Sequence, residues 1–182
     1  MKNSLAVARL AALALLAIPA AARAVEVGLK VEPALALPLS ATESQPFSVD
    51  GSGALKGFIG LGPWVDAAAT VLILGLPTVA GSLSPESARA WGGGGGLVLK
   101  LPLSGTRPWL DGDALFIRTG LLGHFGFAAG AGLSFPLGEA RSFWLGPFVR
   151  YLQIVRYDSG GDSKSLIVGL SLEATASFSA AR

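Results

Sequence analysis

The chain contains no cysteine, and only 14% of its 182 residues are charged. Without cysteine there is no disulfide framework, thiol nucleophile, thiolate metal site or lipoprotein anchor. An average soluble domain carries about 25% charge, so this supply is too small to coat an ordinary water-soluble domain. Long apolar runs are also missing: beyond residue 24 no stretch approaches the roughly 18 uninterrupted apolar residues of a spanning helix. Histidine occurs once, as His124, and no His, Asp and Glu cluster has metal-ligand spacing. What abounds is apolar side chains, 51% of the chain, and glycine, 25 residues. That supply fits neither a soluble globule nor a helical membrane protein.

Residues 1–24 read as an export signal. Lys2 and Arg9 flank an apolar run, Leu10 to Ile18, that Pro19 ends, and Ala22-Arg23-Ala24 places small residues where a signal peptidase reads them. Cleavage after Ala24 is expected, leaving 25–182 as the mature chain; the alternative, an uncleaved anchor, has a short apolar core against it. Loss of Lys2, Arg9 and Arg23 leaves eleven basic against twelve acidic residues, so the net charge moves from +2 to −1. Nucleic-acid binding thereby loses its only support.

The mature chain alternates with period two. Between Val25 and Leu37 the odd positions are apolar, apart from Pro33, while Glu26, Gly28, Lys30 and Glu32 lie between them; Pro33 suggests a bulge. Phe125, Phe127, Ala129, Ala131, Leu133 and Phe135 repeat the pattern, as do Leu166, Val168, Leu170 and Leu172. Each strand thus meets two unlike surroundings on its two faces.

Internal repeats organise these strands. Gly-Leu pairs recur at Gly60, Gly96, Gly132 and Gly169, and between them come Pro63-Trp64-Val65-Asp66, Pro108-Trp109-Leu110-Asp111 and Pro147-Phe148-Val149-Arg150. A two-strand unit repeating about every 37 residues is a hairpin repeat, and four units nearly fill the mature chain. The expected strands are 26–37, 54–61, 64–74, 89–100, 108–118, 124–135, 143–155 and 164–175. Connections 38–53, 75–88 and 156–163 are long or polar and are expected at the cell surface. Connections 62–63, 101–107 and 136–142 are short, and 119–123 is short against the trend. Long loops outside with short periplasmic turns are the habit of outer-membrane barrels.

Closure follows from hydrogen bonding, because a lipid-facing sheet edge has no partner for its N–H and C=O groups. The expected fold is therefore all-β: an eight-stranded antiparallel up-and-down transmembrane barrel with a side-chain-filled interior. Gly92 to Gly96, Gly130 and Gly132 then read as small inward positions that leave room for larger side chains across the lumen. A flexible linker is a poorer reading of the glycine run, since Trp91 and Leu97 to Leu101 bracket it. A phosphate-binding loop is poorer still, since no Lys-Ser/Thr pair follows. A soluble β-sandwich is the alternative fold.

The segments Trp109-Leu110-Asp111, Phe135-Pro136-Leu137-Gly138, Leu145 to Tyr151 and Val168 to Glu173, with the signal and the hairpin order, resemble the transmembrane barrel of OmpA-like outer-membrane proteins. The resemblance covers about 150 residues. It implies residence in the outer membrane of a Gram-negative bacterium, with outer-membrane lipids, the barrel insertion machinery and ligands of the long loops as partners. Members often add a periplasmic peptidoglycan-binding domain, and the resemblance here implies the barrel body without that tether. Phe178 stands near the end, where barrel proteins often place an aromatic.

Chemistry is scarce. His124, at a loop-to-strand junction, reads as a rim residue at headgroup level, because Ser134 and Glu139 are the nearest such residues downstream and Glu139 falls in the opposite turn, a strand length away. Asp158 and Asp162 read as solvated loop charges rather than a calcium site. No catalytic residue, metal site or cofactor is expected. Trp64, Trp91, Trp109, Trp144, Phe148 and Tyr151 read as aromatic belts at the two membrane surfaces rather than a sugar- or lipid-binding platform. Asp66, Asp111 and Arg150 occupy one place in three repeats, and parity points them into the lumen at nearly one height. Glu26, Lys30 and Glu173 lie on the inward faces of the first and last strands. Arg150 is expected to balance the two aspartates and plug the lumen, so that its removal leaves buried like charges. The function expected is structural, in membrane integrity or surface interaction. A narrow, porin-like pore for small solutes is the alternative, and a lipid-modifying enzyme the second.

Overall fold

Period-two alternation folds into strands wherever one face can be buried and the other put in a different solvent. In a computed structural model, which describes residues 25–39, 50–75, 89–101, 103–119, 121–155 and 162–178, eight strands form: β1 (Val25–Pro38), β2 (Asp50–Gly60), β3 (Val65–Gly75), β4 (Arg89–Lys100), β5 (Arg107–Thr119), β6 (Leu122–Pro136), β7 (Phe143–Val155) and β8 (Ser163–Phe178). They close into one barrel in sequence order, each pair antiparallel, with β8 returning to β1.

Two boundaries differ from the sequence expectation by three residues or more. β2 begins at Asp50 because Ala36 pairs with Asp50 and Leu74 with Ser52, so ladder pairing with both neighbours carries a Gly- and Ser-rich segment into the sheet. β8 runs on to Phe178, paired with Val25. Most of the expected surface loops, at 40–49, 76–88 and 156–161, lie outside the described residues, as does the signal segment 1–24.

Each short turn closes the same way. Leu61, Leu101 and Leu137 donate their backbone N–H to the carbonyls of Val65, Pro108 and Phe143 at 2.8, 2.9 and 2.8 Å. Gly105 (φ 106°) and Gly138 (φ 87°) take the left-handed conformations these turns require. Pro33 does not insert a bulge. Pairing with β8 stops between Val31–Leu172 and Ala34–Gly169 and resumes in the same register, because proline withholds an N–H without adding a residue.

The register also sets the tilt. Followed from Lys30 around the ladder through Lys56, Thr70, Gly94, Leu115, Gly126 and Ile154, one row of paired residues arrives at Ser163, ten residues from Lys30's direct partner Glu173. For eight strands that stagger corresponds to a tilt of roughly 43°. A row of paired residues therefore climbs from the turn end toward the loop end as it circles the barrel.

Outward positions are apolar on every strand, with Ile73, Leu110, Phe116 and Leu170 each more than half exposed. Even the eleven-residue strands β2 and β3, at about 3.3 Å per residue and this tilt, span roughly 26 Å. That matches the apolar band of about 25 Å on outer-membrane barrels. A surface of this kind would aggregate in water. Unboiled, detergent-folded protein is expected to migrate differently from boiled protein on a gel; identical migration without a protease-resistant core would contradict closure.

Candidate functional site: the charged lumen

The inward parity of the strands collects charge. Lys30 and Glu32 of β1, Lys56 of β2, Asp66 of β3, Lys100 of β4, Arg107, Asp111 and Asp113 of β5, Arg150 of β7 and Glu173 of β8 are all buried, five cations against five carboxylates. Buried charge is tolerated only when paired and hydrogen-bonded, and these side chains meet in two groups.

The first group lies across the barrel middle. Arg150 donates from both terminal nitrogens to Glu32, at 2.5 and 3.1 Å, and from Nη2 to Asp111 at 2.6 Å. The planar guanidinium suits this two-pronged contact. Lys56 then donates to Asp111 at 2.5 Å and Asp113 at 2.6 Å, and Thr70 donates to Asp113 at 3.1 Å. The chain of contacts thus runs Glu32, Arg150, Asp111, Lys56, Asp113, Thr70.

The second group lies toward the short turns. Lys100 reaches Asp66 at 2.5 Å, Glu26 at 3.2 Å and Glu173 at 3.4 Å, and Arg107 donates to Glu173 at 2.7 Å. Glu26 is the partly exposed member, at 37% of its side chain. Aromatic faces complete the cation shells: Trp109 lies 3.8 Å from the Lys30 ammonium, Phe58 3.9 Å from that of Lys100, and Trp144 3.7 Å from the Arg107 guanidinium. Lys30 has no hydrogen-bond partner among the described residues, so this ring and Glu173 at 3.4 Å are its compensation.

Above the ions, toward the loop ends, the lumen turns apolar. Leu74, Ala90, Ile117, Leu152, Ile154 and Ile167 are each at most 3% exposed and belong to one packed cluster. The interior is a charged lower layer under a mainly hydrophobic lid, in which Ser52, His124 and Ser165 are polar exceptions.

No family model matches the chain, and neither does any curated protein. Among solved structures, Neisserial surface protein A superposes with a TM-score of 0.59 at 12% identity, over 82% of this chain and 96% of that one. Ail, the attachment invasion locus protein of Yersinia pestis, gives 0.49 at 11% identity over 81% and 97%. The N-terminal barrel of Pseudomonas aeruginosa OprF gives 0.49 at 11% over 80% and 96%. The chain has the fold of the small eight-stranded outer-membrane barrels.

In this outer-membrane barrel fold Asp66, Asp111, Arg150, Lys30 and Glu173 all point inward, and Glu26 reaches the lower rim. Asp66, Asp111 and Arg150 sit on one paired row, through Val98 and Gly130, yet they are not at one height. With a climb of about 3 Å per strand, Arg150 stands roughly 12 Å above Asp66. Arg150 therefore balances Asp111 and Glu32, and Asp66 goes to Lys100.

The belt expectation is corrected at three of six positions. Trp109, Trp144 and Phe148 are buried in the lumen, because they share parity with Asp111 and Arg150. Trp109 donates to Ser134 at 3.1 Å and Trp144 to the Arg141 carbonyl at 2.8 Å, which satisfies both indoles. Trp64 and Trp91 face outward, 54% and 56% exposed. Tyr151 is half-buried and donates to Gln153 at 2.9 Å. His124 also departs from the expected rim placement. It is buried on the inward face of β6 with Nε2 3.1 Å from Thr119 Oγ1, while Ser134 is taken by Trp109. Among the described residues no group of three potential ligands could hold a metal ion.

Glu32, Lys56, Lys100, Arg107 and Asp113 were not singled out from sequence. Glu32 and Asp113 share parity with Lys30 and Asp111 and were legible on that ground. Lys100 and Arg107 sit at strand ends, where a charge reads equally well as solvated, and Lys56 lies near the start of the expected strand 54–61 but inside the observed β2. The glycines also serve a closer purpose than expected. A Cβ on Gly130 would come within 2.5 Å of Asp111 Oδ1 and 3.1 Å of Arg150 Nε, and one on Gly28 or Gly132 would meet the ring of Phe58 or Trp109. At Gly28, Gly130 and Gly132 room is made for the neighbouring strand's side chain, not for one across the lumen. Gly94 and Gly96 lie against the backbone of β5, and Gly93 and Gly95, sharing parity with exposed Trp91 and Leu97, face outward rather than inward. Arg150→Ala, which strands Glu32 and Asp111, is expected to cost about 3–5 kcal/mol in urea unfolding from lipid vesicles; a loss below about 0.5 kcal/mol, the range of surface changes, would contradict the pairing.

Proposed function

We propose that the protein is an exported outer-membrane barrel whose body is a closed anchor, with its work in membrane integrity or in contacts made at its surface. The observation that carries this reading is the two-layer lumen. An ion crossing it would have to break a dense ionic network and then shed most of its water among Leu74, Ala90, Ile117, Leu152, Ile154 and Ile167, where Ser52, His124 and Ser165 offer only a few polar contacts in exchange. A narrow pore is therefore the weaker reading.

The residues speak against an enzyme as well. Among the described residues His124 contacts Thr119 and Ser134 accepts from Trp109, and the two do not touch each other, so this pair lacks the contact by which a base activates a nucleophile. The partners that fit are outer-membrane lipids around the apolar band, the insertion machinery during assembly, and ligands of the long connections. Planar-bilayer recordings test the reading directly. The native barrel is expected to give no unitary conductance above background, and Arg150→Ala is expected to remain silent because the apolar lid is untouched. Reproducible single-channel steps from the native protein would establish the pore reading instead.

A further inference from the structure

Six of the eight strand pairs run without a break, and the two that do not are those joining β7 and β8 to the rest of the wall. Pairing of β1 with β8 skips Glu32 and Pro33, and pairing of β6 with β7 skips Leu133 and Ser134, opposite Pro147 and Gly146. Both gaps fall on one row, which runs Leu133, Pro147, Leu170, Pro33. At the barrel's tilt that row crosses this part of the wall near the middle of the apolar band.

Each gap has the same chemistry. Leu39 donates its N–H to the Lys164 carbonyl and Leu137 to that of Phe143, and hydrogen-bonded pairs in an antiparallel ladder recur at every second residue. Counting in twos makes Pro33–Leu170 and Leu133–Pro147 pairs of that kind, in each of which the proline has no N–H to give. The carbonyls of Leu170 and Leu133 thus lose their ladder donor at a depth where hydrocarbon offers none. Between the gaps β7 and β8 stay paired from Phe143–Ala174 to Ile154–Ser163, and Ser171 adds a 3.1 Å bond to the Gly146 carbonyl. The hairpin is tied to itself more firmly than to either neighbour.

Side chains supply the missing attachment. The buried charges of these two strands are Arg150 and Glu173, and among the described residues their ion pairs all leave the hairpin. Arg150 goes to Glu32 of β1 and Asp111 of β5, and Glu173 goes to Lys30 of β1, Lys100 of β4 and Arg107 of β5.

We propose that the β7–β8 hairpin is a hinged panel of the wall, which opens sideways as a unit and is latched shut by the ion pairs of Arg150 and Glu173. A closed anchor blocks passage along the barrel axis; the panel gives the ionic layer a separate, lateral opening toward the membrane, beneath the lid. Amide hydrogen exchange of the detergent-folded full barrel, read residue by residue by NMR, tests it. The amides of Val168, Leu170 and Leu172, which face β1, and of Val149 and Tyr151, which face β6, are expected to exchange together, about tenfold faster than those between β3 and β4. Those of Phe148 and Gly169, which face each other inside the hairpin, are expected to stay slow. Pro33→Val with Pro147→Val returns both donors at exposed positions and is expected to slow the first set about tenfold, leaving β3 and β4 unchanged. Arg150→Met is expected to speed the first set about tenfold more than β3 and β4, since it frees a latch. Equal exchange around the barrel, fast exchange inside the hairpin, no response to the proline replacements, or equal acceleration of every strand by Arg150→Met would each overturn the panel. Heat-modifiable migration shows that each variant is closed, so equal exchange with the gel shift kept separates failure of the panel from failure of the barrel.

Discussion

Hydrocarbon offers no hydrogen-bond partner, and that single constraint propagates through the whole molecule. It forces every strand to be paired on both sides, so the sheet closes on itself with β1 against β8. Closure with only eight strands leaves an interior just wide enough for side chains. Charges placed there cannot be solvated by bulk water and must satisfy one another. The outward apolar band, the closed ladder and the paired ions are thus consequences of one solvent, met on opposite faces of the same strands.

What the constraint does not dictate is which ions meet. That is set by the stagger of ten residues between the ends of one row, which tilts the strands and separates residues that occupy equivalent places in the repeat. Asp66 and Arg150 begin as counterparts in sequence and end with different partners, Lys100 for one and Glu32 with Asp111 for the other. The glycines follow the same logic. Gly130 is opposite both Asp111 and Arg150 and leaves the space in which their side chains join.

Strand number, hairpin order and the inward set Asp66, Asp111, Arg150, Lys30 and Glu173 were legible in the sequence because parity is a local property, readable two residues at a time. Height is not local. It depends on the accumulated stagger around the barrel, which no single hairpin reveals, and so the partners of Arg150 were not foreseeable from the repeat. The same parity that placed Asp111 inward also places Trp109 inward. The repeat motif suggested a belt because the tryptophans recur, yet Trp64, just ahead of β3, and Trp109, inside β5, meet different surroundings. Lys56 was obscured by a strand that starts at Asp50 through ladder pairing, in a segment whose glycine and serine content resembles a loop.

Coupling between Arg150 and Glu32 is the most direct measure of whether the interior holds as mutually satisfied pairs. A double-mutant cycle with Arg150→Met and Glu32→Met, followed by urea unfolding from lipid vesicles, isolates it. The account predicts that the double variant is more stable than the two single losses imply, by about 2 kcal/mol or more, since removing both ends leaves no stranded charge between them. Additive losses would show that the two side chains do not depend on each other and would contradict a lumen built from paired ions.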